Sequence, residues 1–194
     1  MSDSWDQYAA DWDSNEDVRA YADKAFASLT EVVNPAGMRV LDFGCGTGQM
    51  SERLAPVVQA LVALDSSEKM IEVLQAKQLA GLNTLALELT ADSIGAEPLL
   101  QQPFDLIVAS SVCAFLPQYE QTLALLKTLL APNGVFMQWD WQSEGEEGDF
   151  GFTPQRIEAA FEQAGLETVS VSEAFVMRSE QGEMTVLMGV ARNG

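Results

Sequence analysis

Between residues 14 and 36, apolar side chains recur at steps of three and four. Val18, Tyr21, Ala22, Ala25, Leu29 and Val32 fall on one helical stripe, which predicts an amphipathic helix buried along that face. Ser14 or Asn15 stands where an N-cap is needed, and Asn34-Pro35 with Gly37 stops the helix. From Arg39 the period changes. Short apolar runs at 39–43, 61–64, 84–89, 104–109 and 135–141 read as strands. Helical stretches separate them, such as 119–130 with Leu123, Leu126 and Leu130 in phase. Strands apolar on both faces and joined by helices predict a mostly parallel sheet with helices on both faces, a doubly wound α/β fold.

Ala131-Pro132-Asn133-Gly134 reads as a tight turn before the fifth strand, and 142–151 as a polar, glycine-rich loop. Thr153 and Pro154 open a further helix that Gly165 closes. Runs at 169–176 and 184–190 then form an antiparallel pair at the sheet edge. One domain over 1–194 accommodates everything: an arm and helix at 1–36, a core at 37–141, and a loop, helix and closing strands at 142–194.

Composition and charge narrow the picture. The 47% hydrophobic content suits a globular core, and no apolar run is long enough to span a bilayer. The acidic start, MSDSWDQYAADWD, lacks the basic and apolar regions of a secretory signal, so a soluble, cytoplasmic protein is expected. The formal charge of −19 repels phosphate backbones, which argues against a nucleic-acid partner; its plainest role is solubility. There is no histidine, which removes the commonest general base and metal ligand. Cys45 and Cys113 lie far apart in apolar stretches, with neither zinc nor disulfide spacing, and no metal site is expected.

The chemistry concentrates after the first strand, in Val40-Leu41-Asp42-Phe43-Gly44-Cys45-Gly46-Thr47-Gly48. Glycines there let backbone approach a ligand where a Cβ would collide, although a ligand-free strand-to-helix turn has the same look. A dinucleotide cradle wants a glycine at position 49, where this chain has Gln. The run D-x-G-x-G-x-G instead resembles motif I of the class I S-adenosylmethionine-dependent methyltransferases. That resemblance extends over about residues 39–141 and implies a Rossmann-like sheet with S-adenosyl-L-methionine as cofactor.

The second strand ends at Asp65, followed by Ser66 and Ser67. A carboxylate there can accept both ribose hydroxyls, or it can cap the next helix, a duty Ser66 or Ser67 can also fill. The resemblance makes Asp42, Gly44, Cys45, Gly46, Gly48, Asp65, Ser66 and Met70 cofactor-binding candidates. It also implicates Asp92, in Ala91-Asp92-Ser93, toward the adenine amino group, with Ser93 beside it; a surface acid starting a helix is the alternative. Backbone near Ser110 is implied at the methionine end.

The chain departs from the small-molecule members after strand four, where Val112-Cys113-Ala114-Phe115-Leu116-Pro117 carries no histidine. It also lacks the Asp-Pro-Pro-Tyr or Asn-Pro-Pro-Tyr run of amino-nitrogen methyltransferases of adenine or glutamine. No proline precedes Cys113, as one precedes the nucleophile of cytosine C5 enzymes, so a buried thiol is its expected role. Displacement at a sulfonium needs alignment more than acid–base help, and no catalytic residue is assigned. If a base is used, Asp140 and Tyr8 are the candidates; Asp140 is otherwise a buried or strand-end acid. In the family's usual layout the arm with Trp5, Tyr8 and Trp12 and the loop at 142–151 flank the cofactor mouth; Trp5 can equally dock the first helix. The expected function is methyl transfer to a small, rather apolar molecule; the alternative is a non-catalytic cofactor-binding module or partner subunit.

Overall fold

The computed structural model describes residues 5–144, 150–179 and 182–194. Seven strands form one sheet: β1 (Arg39–Phe43), β2 (Ala60–Asp65), β3 (Leu82–Ala86), β4 (Phe104–Ser110), β5 (Leu130–Trp141), β6 (Glu167–Ser179) and β7 (Gly182–Arg192). Their order is β3-β2-β1-β4-β5-β7-β6. The first five run parallel, and β7 enters antiparallel between β5 and β6. The mostly parallel α/β expectation with an antiparallel edge therefore holds, with β7 inserted inside the closing pair.

Helices α1 (Ala9–Trp12), α2 (Glu16–Val32), α3 (Gln49–Leu54), α4 (Glu68–Ala76), α5 (Ala91–Ala96), α6 (Tyr119–Leu129) and α7 (Pro154–Ala164) surround the sheet. Strand alternation sorts the core into two layers. Leu41, Ile107 and Phe136 face α6 and α7, whose Leu123, Leu126 and Phe161 are buried against them. Val40, Leu106, Val108, Met137 and Trp139 face α2, meeting Tyr21, Ala25 and Leu29. Asn15 caps α2, its side chain accepting from the Asp17 amide. The predicted stripe is buried at Tyr21, Ala22, Ala25 and Leu29, whereas Val32 at the last turn is 45% exposed. Its polar member is Ser28, whose hydroxyl accepts the Trp139 indole N–H at 2.9 Å.

Two predicted boundaries move. β3 ends at Ala86, not at 89, because its partner β2 runs out at Asp65; only the Leu87 amide still reaches the Asp65 carbonyl. Residues 87–90 are thereby released toward the carboxyl edge of the sheet. The 131–134 turn is a bulge inside β5: Phe104 pairs with Leu130, Leu106 pairs with Val135, and Asn133 takes φ +62° between them. Among the described residues, no helix is long and apolar enough to cross a membrane.

Candidate cofactor and acceptor site

A cavity of about 1280 Å³ opens at the carboxyl ends of β1, β2, β3 and β4, the edge where open α/β sheets bind ligands. Pockets for one ligand usually occupy about 300–1,000 Å³, so there is room for a second molecule. Of the sequence candidates, Asp42, Gly44, Cys45, Gly46, Asp65, Ser66, Met70 and Ser110 all line it.

The glycine loop is shaped by the end of β2. The Gly44 and Cys45 amides both donate to the Leu64 carbonyl, and the Gly46 amide donates to Asp65 Oδ2 at 2.8 Å. Gly46 takes φ +53°, and a Cβ built on it meets no atom within 4 Å. That open space is the cavity, so the backbone here is available for close approach. Gly44 differs: its Cβ would lie 2.3 Å from Val112 Cγ2. Gly48, a further candidate, stands outside the lining; it caps α3 in the left-handed region, against Leu74.

Asp65 is freed from capping because Ser67 does that work, its hydroxyl accepting from the Met70 amide. Asp65 instead accepts from Gly46 and, at 2.9 Å, from the Ser67 amide, leaving lone pairs toward the cavity. Burial raises its carboxyl above the ordinary value, with these backbone donors pulling against it. Asp42 is wholly buried; desolvation pushes it up to about 7 despite the Ser51 hydroxyl bonded to it at 2.6 Å. Burial likewise pushes the Cys45 and Cys113 thiols well up, leaving them unreactive.

Other expected residues fall elsewhere. Asp92 and Ser93 do not line the cavity. Ser93 completes a capping box with Thr90 at the start of α5, and Asp92 is exposed. The early end of β3 puts Glu88, Leu89, Thr90 and Ala91 on the wall instead. Asp140 is 1% exposed and also off the cavity; it accepts from the Ala114 amide at 3.1 Å and from Gln138, which in turn accepts from Tyr119. Burial raises it to about 8 against those hydrogen bonds, and it anchors the Cys113–Phe115 turn through the Ala114 amide. Tyr8 is 53% exposed and does not reach the cavity.

The arm does reach it. Trp5 and Trp12 line the cavity, and Trp5 packs edge-on against Phe115 at 4.8 Å and against Trp12 of α1 at 6.0 Å. Residues 145–149 of the expected flanking loop lie outside the described residues; Phe150 at its end packs on Phe115 at 4.8 Å. One residue the sequence did not single out is Asp13. It accepts from Thr47 Oγ1 at 2.5 Å and Gln49 Nε2 at 2.8 Å, and pairs with Lys77 at 2.6 Å. Burial alone would raise its carboxyl, but the Lys77, Thr47 and Gln49 contacts outweigh that and hold it low. Asp6 accepts from the Ser67 hydroxyl, so the arm is tied to both ligand loops.

Comparison with known proteins decides the family. The methyltransferase-domain family matches residues 34–183. This chain belongs to that family. It is 31% identical over 170 residues to an uncharacterized methyltransferase of Schizosaccharomyces pombe, covering 74% of this chain and 59% of that protein. It is 29% identical over 107 residues to a ubiquinone biosynthesis O-methyltransferase of Pseudomonas fluorescens, covering 55% and 45%. The chain thus spans about half the length of these curated relatives. The N-methyltransferase NodS from Bradyrhizobium japonicum WM9, solved with S-adenosyl-L-homocysteine, shares the fold at TM-score 0.66 and 20% identity, over 93% of this chain and 89% of that one. The fold is that of the S-adenosylmethionine-dependent methyltransferases.

Proposed function

We propose that this chain binds S-adenosylmethionine at the glycine-loop end of the cavity and transfers its methyl group to a small, apolar molecule bound beside it. The observation that carries this reading is Asp65 at the end of β2, bonded to the open Gly46 backbone, both on one cavity wall. Asp65 would hold the ribose hydroxyls, the 44–46 backbone would lie along the amino-acid end, and Glu88, which lines the cavity where Asp92 does not, would face the adenine amino group. When bound, the cofactor supplies an electrophilic methyl group carried on sulfur. The chain's contribution is alignment and exclusion of water: Trp5, Trp12 and Phe115 cover the cavity, and Asp13 ties the arm to the loop. The apolar wall of Met50, Val18 and Trp141 suits an apolar acceptor.

A saturating cofactor at about 100 times its Kd stabilises the fold by about 2.7 kcal/mol, worth roughly 5–10 °C in Tm for a chain of this size. S-adenosylmethionine and S-adenosylhomocysteine are both expected to raise the midpoint by that order, and Asp65→Ala to abolish most of the rise. No shift in the wild-type chain contradicts the reading. The second reading, a cofactor-binding module without transfer, is favoured by Asp140 and Tyr8 both standing off the cavity. Tight cofactor binding with no labelled methyl passing to a broad set of small hydroxyl and amine compounds would favour it.

A further inference from the structure

The acceptor half of the cavity holds one polar group whose bonding is incomplete. Tyr21 lines the cavity from α2, is 7% exposed, and its hydroxyl has no hydrogen-bond partner among the described residues. A buried phenol without a partner is costly, so an orphan at a cavity wall points to a ligand. Its ring is fixed edge-on between Trp141 at 5.3 Å and Phe175 at 5.2 Å. The hydroxyl lies beside Ser111, near enough for that side chain to ease its ionisation, yet no hydrogen bond joins the two. Ser111 also lines the cavity and takes φ +55°, a strained conformation for a side-chain-bearing residue, held by its backbone N–H donating to the Trp139 carbonyl at 2.7 Å.

Strand order places this pair. Asp65 ends β2, the glycine loop follows β1, and Ser110 ends β4; Tyr21 packs on Trp141 of β5 and Phe175 of β6. Moving across the sheet from the ribose acid, the Tyr21–Ser111 pair therefore comes after the place for the amino-acid end. It faces what lies beyond the cofactor. Charge narrows the chemistry further. Among the described residues, the acidic and basic side chains of the lining are Asp17, Asp42, Asp65, Glu88 and Arg178. Arg178, the one cation among them, is 79% exposed and already paired with Glu183 at 2.7 Å. An acceptor carboxylate at the Tyr21–Ser111 pair would be desolvated with no free protein cation among the described lining residues to meet it.

We propose that the Tyr21 and Ser111 hydroxyls anchor the methyl acceptor, and that the acceptor presents to them an uncharged hydroxyl or amine on an apolar body, not a carboxylate. This rests on the proposed cofactor-dependent function. Burial, with Asp140 nearby, holds the phenol well above its ordinary pKa, so it keeps a hydrogen to donate while its oxygen can accept.

The test uses phenol and benzoate, one ring with a neutral or an anionic head, titrated into protein saturated with S-adenosylhomocysteine. Wild type is expected to bind phenol and to reject benzoate. Tyr21→Phe is expected to weaken phenol binding about three- to tenfold, the worth of one hydrogen bond, and Ser111→Gly to weaken it comparably while relieving the backbone. Neither variant should melt below the wild type, since one loses an unpaired phenol and the other a strained backbone, and both should retain the wild-type affinity for S-adenosylhomocysteine. Benzoate binding as well as phenol, absence of phenol binding, or phenol affinity unchanged in both variants overturns the proposal. So does a tenfold loss of S-adenosylhomocysteine affinity in Tyr21→Phe, which makes the phenol a cofactor contact. Failure of wild type to bind S-adenosylhomocysteine at all strikes the underlying function instead.

Discussion

Gly46→Ala adds one methyl group to the wall of the cavity and nothing to the core. The Cβ meets no atom within 4 Å, so the fold bears only the strain of φ +53°. That strain is about 1–2 kcal/mol, which lowers Tm by roughly 2–8 °C at this chain length. The ligand meets the methyl group directly. Overpacking of about 1–3 kcal/mol in a close backbone contact weakens S-adenosylhomocysteine roughly five- to hundredfold. Gly44→Ala is the matched comparison: it has the same kind of strain at φ +66°, but its Cβ would sit 2.3 Å from Val112 Cγ2 and 2.8 Å from Val112 Cβ. It must displace a short, branched side chain and should cost stability well beyond the strain. Calorimetric titration with the nucleoside, beside thermal melts of both variants, separates the two effects. Wild-type affinity in Gly46→Ala, or equal destabilisation by the two substitutions, would refute the reasoning.

Ser28→Ala strands the Trp139 indole N–H in the core and should destabilise by about 1–3 kcal/mol in urea, without altering cofactor affinity. Asp140→Asn should reveal a pH-linked cost. The folded carboxyl titrates at about 8 against an ordinary 3.8, so its contribution is present below pH 4 and is lost as pH rises through 8. The wild type should therefore lose stability relative to the variant by up to about 1.4 kcal/mol per pH unit across that window, and no further above it. A variant-minus-wild-type difference that stays flat from pH 4 to 8 in denaturant titrations rules this out.

What could be read from the sequence was local. The glycine turn after β1, the strand end at Asp65 and the helix stripe of α2 depend on a few adjacent residues; the turn and Asp65 stand on the cavity wall except for Gly48, and the stripe is buried at Tyr21, Ala22, Ala25 and Leu29 but not at Val32. What escaped reading was set by distant partners. Asp92 looked well placed until β3 ended early, because nothing in residues 84–89 records where the neighbouring strand stops. Strand alternation in Gln138-Trp139-Asp140-Trp141 sets Asp140 opposite Trp139, but the Cys113–Phe115 turn closes over that face and removes it from the cavity, which no local pattern records. Asp13 joins Thr47, Gln49 and Lys77 across gaps of more than thirty residues, and no local pattern announces it. Tyr21 left one signal: a phenol on a buried helical stripe needs a partner for its hydroxyl.

The most direct test is a crystal structure of the protein with S-adenosylhomocysteine. The ribose hydroxyls should lie within hydrogen-bond distance of the Asp65 carboxylate, with the amino-acid end against the 44–46 backbone and the sulfur directed toward Tyr21. A nucleoside bound elsewhere, or one that leaves Asp65 bonded only to the Gly46 and Ser67 amides, would contradict the account.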